Sequence, residues 1–264
     1  MSSTNPKKLL AITGGAGRIG TALRPLLRDR YRLRLADIRP VSGLQEGEEA
    51  LEADIASLEA SERIADGADM VLHLAGNPST SGTWDEMRVA NIEGTFNIYE
   101  AARRHGIRKV VLATTNHVMG FYYLENQYPI RTDWAIRPDS LYGVSKAFGE
   151  ALARYYSDAF DMSMICLRIG WFTDRQPAIT RLNPLWISAR DIAHFITLCL
   201  ETPRKFGIYN GTSNNPQNHW DLTSAREELG YNPQDDVTKA GRDGEGFGYV
   251  DPQAGVLKSM PGAS

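Results

Sequence analysis

The chain has 264 residues, of which 42% are hydrophobic and 23% charged, with a formal net charge of −3. That length accommodates one large domain, or one with a small appendage, and the composition excludes a disordered tail protein, a collagen-like fibre and a coiled-coil rod. The nearly balanced charge, spread along the sequence, argues against a nucleic-acid partner or a polybasic membrane contact. Cys166 and Cys199 each lie in an apolar run and read as buried thiols in a reducing compartment, with no disulfide framework and no metal site implied. The apolar run that precedes Gly14 is too short for a signal peptide or a membrane span, so a cytoplasmic location is expected.

Taken in chain order, apolar runs suited to strands fall at residues 9–13, 32–36, 70–74, 109–114 and 162–168. Segments of helical period lie between them, at residues 18–29, 56–65, 85–105 and 141–159. Strands alternating with crossover helices predict an α/β chain with a doubly wound parallel sheet, the Rossmann fold. Residues 1–170 would form that core. From residue 171 the rhythm changes to proline-interrupted loops, a helix at 189–201, a short strand at 207–210 and a helix at 222–229. This part, 171–264, is expected to be a small substrate-covering lobe packed on the same domain, and its last thirty or so residues carry no periodic signal.

The first strand turns into the first helix at Thr13-Gly14-Gly15-Ala16-Gly17-Arg18-Ile19-Gly20. Gly14 would permit the tight turn, Gly17 the approach of a pyrophosphate to the backbone, and Gly20 the packing of helix on strand, with the phosphates on the helix N-terminus. The second strand runs into Asp37, whose carboxylate suits two ribose hydroxyls and repels a 2′-phosphate, so the expected cofactor is NAD. Arg18 and Arg39 lie within reach of an added phosphate and leave NADP as the alternative. Asp54 is placed either to hold an adenine amino group or to cap a helix. Leu74-Ala75-Gly76-Asn77 closes the third strand with small residues where a cofactor would pass.

Tyr142 and Lys146 are four residues apart, on one helical face, about 5–6 Å between their first side-chain carbons. A lysine cation beside a tyrosine, joined by the positive charge of an oxidised nicotinamide, lowers the phenol pKa and lets it act as a base near neutral pH. The fourth strand ends in Thr114-Thr115-Asn116-His117, outside the carboxyl edge of the sheet where doubly wound folds bind ligands. Thr115 can donate to the reacting oxygen and Asn116 can bind a neighbouring hydroxyl. His117 is either a substrate contact or a loop histidine satisfied by backbone.

Together, the glycine motif, Asp37, Asp54, Asn91-Ile92-Glu93-Gly94-Thr95, Thr115, the Tyr142/Lys146 pair and Arg168-Ile169-Gly170 resemble the extended short-chain dehydrogenase/reductases of the NAD-dependent epimerase/dehydratase branch. Within it, Thr115 to Tyr122, Arg137 to Lys146 and Trp186 to Asp191 resemble uronate dehydrogenases and archaeal NAD-dependent glucose-6-phosphate dehydrogenases, over about residues 8–236. The resemblance implies oxidation of carbon 1 of a sugar hemiacetal to a lactone, with Thr115, Tyr142 and Lys146 catalytic. Its implied cofactor set is Gly14, Gly17, Arg18, Ile19, Asp37, Asp54, Ile55, Leu74, Ala75, Gly76, Asn91, Thr114, Tyr142, Lys146 and Ile169. Its implied substrate set is Asn77, Thr115, Asn116, His117, Tyr142, Gly170, Trp171 and Arg181. Arg181 stands where the family binds a charged group at carbon 6, a role that suits a planar guanidinium facing a carboxylate, phosphate or sulfonate.

The sequence departs from uronate dehydrogenases at Trp171, where those enzymes carry a serine. An indole, bulkier and with a single donor, does not reproduce their carboxylate pocket. The expected partner is therefore a small anionic sugar, namely a uronate, a hexose 6-phosphate or sulfoquinovose. The long helices expected at 85–105 and 141–159 would pair in a homo-oligomer, as in many relatives. Two other readings share this fold: a nucleotide-sugar epimerase or dehydratase that retains its NAD, and a non-catalytic NAD-sensing regulator. Against the first stand Asn116-His117, where dehydratases carry an Asp-Glu pair, and the 94 residues after Gly170, few for a lobe that encloses a nucleotide. Against the second stands the intact Tyr142/Lys146 pair.

Overall fold

A computed structural model describes residues 7–173 and 183–238. β1 (Leu9–Thr13) is buried along its whole length and leads into α1 (Arg18–Leu27). β2 (Arg32–Asp37) and β3 (Glu48–Glu52) follow, then α2 (Leu58–Ala65) and β4 (Met70–His73). α3 (Trp84–Met87) passes through a π-helical stretch, Arg88–Glu93, into α4 (Gly94–Arg104). β5 (Lys109–Thr115) ends in a 3₁₀ turn, Asn116–Met119, and the short α5 (Gly120–Leu124), and the twenty-residue α6 (Leu141–Phe160) leads to β6 (Ser163–Ile169). The remaining elements are β7 (Trp171–Phe172), β8 (Trp186–Ile187), α7 (Ala189–Glu201), β9 (Phe206–Gly211) and α8 (Thr223–Leu229).

Seven strands form one sheet in the order β3-β2-β1-β4-β5-β6-β9, parallel throughout, and β7 and β8 pair separately. The doubly wound parallel sheet expected from the sequence is present. The two-residue period of strands splits their side chains cleanly between two layers. Leu10, Ile12, Val111, Ile165 and Leu167 face a core completed by Leu23 and Leu27 of α1 and by Ile192, Phe195 and Ile196 of α7. Ala11, Val110, Leu112, Met164 and Cys166 face the other way, onto Ile64 of α2, Ile98 and Tyr99 of α4, and Ala153 and Tyr156 of α6. The strand order reverses between β1 and β4, and this opens a crevice at their carboxyl ends.

Several expected boundaries shift for identifiable reasons. The helix expected over 85–105 is interrupted by the π-helical stretch, whose wider turn carries Asn91 inward, where it bonds Asn77 and Ser145. α2 starts at Leu58, two residues after the expected 56, because Ser57 caps it by accepting from the Ala60 amide at 3.2 Å. β3 was not expected, since Glu48-Glu49-Ala50-Leu51-Glu52 reads as solvated. It forms because Arg24 grips Glu48 and Arg34 bonds Glu49, and its charge suits a sheet edge. β9 joins β6 in the main sheet, so the segment after residue 171 contributes a strand and α7 to the core.

Candidate active site

At the crevice, Gly14 adopts φ +74°, and a side chain there would strike the Ala75 backbone at 2.9 Å. A Cβ on Gly20 would lie 2.4 Å from the Gly14 carbonyl oxygen, so the helix approaches the turn closely because that atom is absent. The Gly17 amide bonds the same oxygen at 2.9 Å. Asp37, buried at the end of β2, accepts the Ala16 amide at 3.0 Å and the Arg39 amide at 3.0 Å, holding the glycine turn. Arg39 lies over the turn, with its guanidinium on the Ala16 carbonyl at 2.9 Å. Arg18 reaches across to the Phe172 carbonyl at 3.5 Å, and Ile19 packs on the first core layer.

Beneath this cradle runs a hydrogen-bond chain that sequence reading did not single out. Thr13 Oγ1 accepts the Leu74 and Ala75 amides at 3.2 and 3.1 Å, so its own proton goes to His73 Nδ1, 2.7 Å away. His73 Nε2 then donates to Thr95 Oγ1 at 3.2 Å. Full burial, with the Lys146 charge adding to it, lowers the His73 pKa to about 3, and the ring is neutral.

Past Ala75 the chain turns through Gly76, φ +149°, where a Cβ would lie 2.8 Å from Asn91 Oδ1 and 3.5 Å from Lys146 Nζ. Asn91 accepts the Asn77 amide at 2.7 Å and donates to the Asn77 carbonyl at 3.0 Å and to Ser145 Oγ at 2.9 Å, and Ser145 donates to the Tyr142 carbonyl at 2.7 Å. The loop after β4 is thereby tied to α6. Ser145 was missed because its role depends on a partner fifty-four residues away.

On α6, Ser140 caps the helix through the Gly143 amide at 3.1 Å and sets the face that carries Tyr142 and Lys146. The Thr115 hydroxyl hydrogen-bonds Tyr142 and eases its pKa down, but burial is the larger influence and pushes the phenol up to about 12. Burial likewise brings the Lys146 ammonium down to about 8. In the protein alone, desolvation thus outweighs the lowering of the phenol pKa expected from the Tyr–Lys spacing. The Thr115 hydroxyl also lies 3.3 Å from Asn116 Oδ1 and accepts the His117 amide at 3.2 Å, so its single proton is shared between Tyr142 and Asn116. His117, buried, stands edge-to-face with Tyr142, ring centroids 5.9 Å apart, and its Nδ1 lies 2.9 and 3.0 Å from the two oxygens of Asp139, a residue not singled out from sequence. The bland reading of His117, a ring satisfied by backbone, is therefore replaced by an imidazole paired with a carboxylate.

Thr114 Oγ1 donates to Glu150 at 2.8 Å, and Glu150 also receives a buried two-point contact from Arg168 at 2.9 and 2.8 Å. Ile169 closes β6 in the core, and Gly170 passes so near Leu185 that a Cβ would lie 2.2 Å from its carbonyl oxygen. Trp171 packs, half-buried, with Tyr122, Tyr128 and Trp134 against the cluster of Met119, Leu185 and Trp220. Asp54 follows Ala53, whose amide bonds the Asp37 carbonyl at 3.0 Å, and its exposed carboxylate accepts the Ala56 amide at 2.9 Å, while Ile55 packs under Gly94. Arg181 lies outside the described residues. Among the described residues no His, Cys, Asp or Glu cluster could hold a metal, and no helix is long and apolar enough to cross a membrane.

A glycine-lined crevice at the switch point of a doubly wound sheet, with tyrosine, lysine and threonine at its far end, defines the short-chain dehydrogenase/reductase plan. Comparison places the chain within it. Residues 10–172 match the NAD dependent epimerase/dehydratase family, and the chain belongs to that family, whose members are built to use NAD. It is 35% identical over 251 residues to the NAD-dependent glucose-6-phosphate dehydrogenase of Haloferax volcanii, covering 89% of this chain and 96% of that one. It is 36% identical over 237 residues to the uronate dehydrogenase of Pseudomonas syringae pv. tomato, covering 89% and 84%. The uronate dehydrogenase of Agrobacterium tumefaciens, in a mutant complexed with NAD, superposes with a TM-score of 0.81 at 31% identity, over 97% of this chain and 91% of that one. The protein is an NAD-dependent oxidoreductase of the sugar-dehydrogenase type.

Proposed function

We propose that this enzyme oxidises the carbon 1 hydroxyl of a hexopyranose bearing an anionic group at carbon 6, and releases the lactone. The observation that carries the reading is the meeting of Thr115, Tyr142 and the His117–Asp139 pair at the mouth of the crevice, with Lys146 one helical turn behind. The crevice residues fit a dinucleotide: Gly14, Gly20 and Gly76 stand where a side chain would collide with the neighbouring backbone or Asn91, which keeps the turn tight and free of side chains where a pyrophosphate and ribose would approach. Gly17 is the N-cap of α1, no side chain caps the amides of the helix's first turn, and Asp37 lies at the end of β2 for the adenosine ribose.

Bound NAD supplies the acceptor for the hydride that leaves carbon 1. Thr115 donates to the carbon 1 oxygen and Tyr142 removes its proton. A phenol lifted to about 12 is a strong base once ionised, the Thr115 hydrogen bond favours that ionised form, and an ammonium at Lys146, one turn along the same helix, would add to it. Asn116 and His117 hold further hydroxyls, and Trp171, Tyr122 and Trp134 pack against Val118 and Met119 of the turn that carries them. Arg181 pairs with the anion at carbon 6. The relatives named as acting on glucose 6-phosphate and on uronates support an anionic hexose. Trp171, bulkier than a serine and with a single N–H, does not reproduce the carboxylate pocket of the uronate dehydrogenases, and the anion is a uronate carboxylate, a phosphate or a sulfonate.

The test is initial-rate NADH formation with glucose 6-phosphate, sulfoquinovose, glucuronate, galacturonate and glucose. One anionic hexose should exceed glucose by at least tenfold in kcat/KM, and Arg181→Ala should erase most of that preference by raising KM for the charged sugar alone. No NADH from any of them would overturn the reading.

A further inference from the structure

We propose that Asp139 is a positioning residue that fixes the tautomer of His117, so that the imidazole presents Nε2 as a hydrogen-bond acceptor and selects substrate by a sugar hydroxyl other than the one being oxidised. The inference deepens the sugar-dehydrogenase reading and rests on it for the identity of the hydroxyl's owner.

The arrangement is over-determined. Asp139 is fully enclosed at its side chain, and its two oxygens lie 2.9 and 3.0 Å from His117 Nδ1. A carboxylate has only acceptors to offer, so the proton between them sits on Nδ1. The same carboxylate accepts the Ser140 hydroxyl at 3.0 Å, and Ser140 caps α6, the helix that carries Tyr142. The space for it is made by Gly120, where a Cβ would lie 1.8 Å from Asp139 Oδ2. The backbone holds the pair in register: the Asp139 amide bonds the His117 carbonyl at 3.3 Å, and the Arg137 amide bonds Val118 at 3.1 Å. Gly143 lets α6 press against the turn, since a Cβ there would lie 2.5 Å from the His117 carbonyl oxygen. With Nδ1 committed, Nε2 is the ring nitrogen left for a ligand, and it has no hydrogen-bond partner among the described residues. The ring stands beside Tyr142, on the turn that begins with Thr115 at its N-cap, so its hydroxyl is a neighbour of the one Tyr142 deprotonates. A site built to accept from a hydroxyl discriminates strongly against an analogue lacking it, because its own acceptor is then left unpaired.

Two readouts separate this from a purely structural role. The first is the ¹⁵N shift pattern of His117 in the protein without substrate: a protonated Nδ1 beside an unprotonated Nε2 is expected, becoming a mixture in the isosteric Asp139→Asn variant, whose amide can donate as well as accept. A proton on Nε2 in the parent protein would overturn the proposal, and this readout needs no turnover, so it stands or falls separately from the substrate assignment. The second compares the best sugar of the panel with its 2-deoxy and 3-deoxy analogues. The parent enzyme should lose at least tenfold in kcat/KM on one of them, Asp139→Asn should reduce that loss to threefold or less, and KM for NAD should stay within twofold. The double variant Asp139→Asn/His117→Gln should be no worse than His117→Gln alone. Full retention of discrimination by Asp139→Asn, or an additive double variant, would show that Asp139 does not act through His117.

Discussion

Acidification should destabilise this protein in good part through one ring, His73. Its pKa falls from 6.5 to about 3 in the fold, because burial penalises the imidazolium and Lys146 repels it. Thr13 Oγ1 has spent both lone pairs on the Leu74 and Ala75 amides, so a proton on His73 Nδ1 would face no acceptor. The sign follows from linkage: below pH 6.5 the unfolded chain takes up a proton that the native protein refuses until about pH 3. The stability His73 confers is therefore complete above pH 6.5 and is lost as pH falls through that window. At roughly 1.4 kcal/mol per pH unit the full loss is about 5 kcal/mol, a large share of the stability of an ordinary domain. The assay is urea unfolding at pH 7.5, 6.5, 5.5 and 4.5 of the parent protein and His73→Leu, which cannot titrate. The variant leaves the Thr13 and Thr95 hydroxyls short of a partner, at about 1–3 kcal/mol each, and this cost does not depend on pH. The stability gap should accordingly close by about 2 kcal/mol between pH 6.5 and 4.5, other groups cancelling between the two proteins. A gap that stays constant to within about 1 kcal/mol over that range would refute the account of a neutral, enclosed histidine.

Three further outcomes are expected. Tyr142→Phe should lower kcat by about 10²–10⁴ and leave NAD affinity, read by titration of protein fluorescence, within threefold; turnover within tenfold of the parent would remove Tyr142 as the base. Gly20→Ala, whose Cβ would lie 2.4 Å from the Gly14 carbonyl oxygen, should cost about 1–3 kcal/mol in thermal unfolding and raise KM for NAD, and an unchanged Tm would deny the close approach of α1 to the turn. Glu150→Gln leaves the Arg168 guanidinium enclosed without its counter-charge, so urea unfolding should show a loss of about 3–5 kcal/mol, and a loss under about 1 kcal/mol would mean that the pair is hydrated.

What the sequence disclosed is what local chemistry determines. Strand runs such as Leu9–Thr13 and Lys109–Thr115, buried on both faces, are apolar enough to be read directly, and the glycine turn is legible because only residues without a side chain fit it. The Tyr142/Lys146 spacing is legible because a helix repeats. By contrast β3 is held by Arg24 and Arg34, twenty-four and fifteen residues away from their partners, and no window on Glu48–Glu52 contains that information. Asn91 broke the expected helix for a similar reason. Its side chain satisfies Asn77 and Ser145, and the backbone widened into a π-helical turn to bring it there. Asp139 reads in sequence as one of several polar residues in a proline-containing loop, and only the fold brings it against His117.

The same distinction governs the charges. The Tyr–Lys spacing suggests a phenol made acidic by a nearby ammonium, yet burial acts on both groups first, lifting Tyr142 to about 12 and bringing Lys146 down to about 8. Desolvation scales with depth in the fold, which no spacing encodes, so the geometry of the pair was legible and its electrostatics were not. The structure answers that cost locally. Thr115 bonds the phenol and favours its ionised form, and His73, kept neutral by Thr13 and its own burial, adds no competing positive charge beside Lys146. The Lys146 ammonium, brought down to about 8, still carries its charge near neutral pH on the helical face it shares with Tyr142, and the two enclosed hydroxyl partners of His73 keep a second cation from forming beside it.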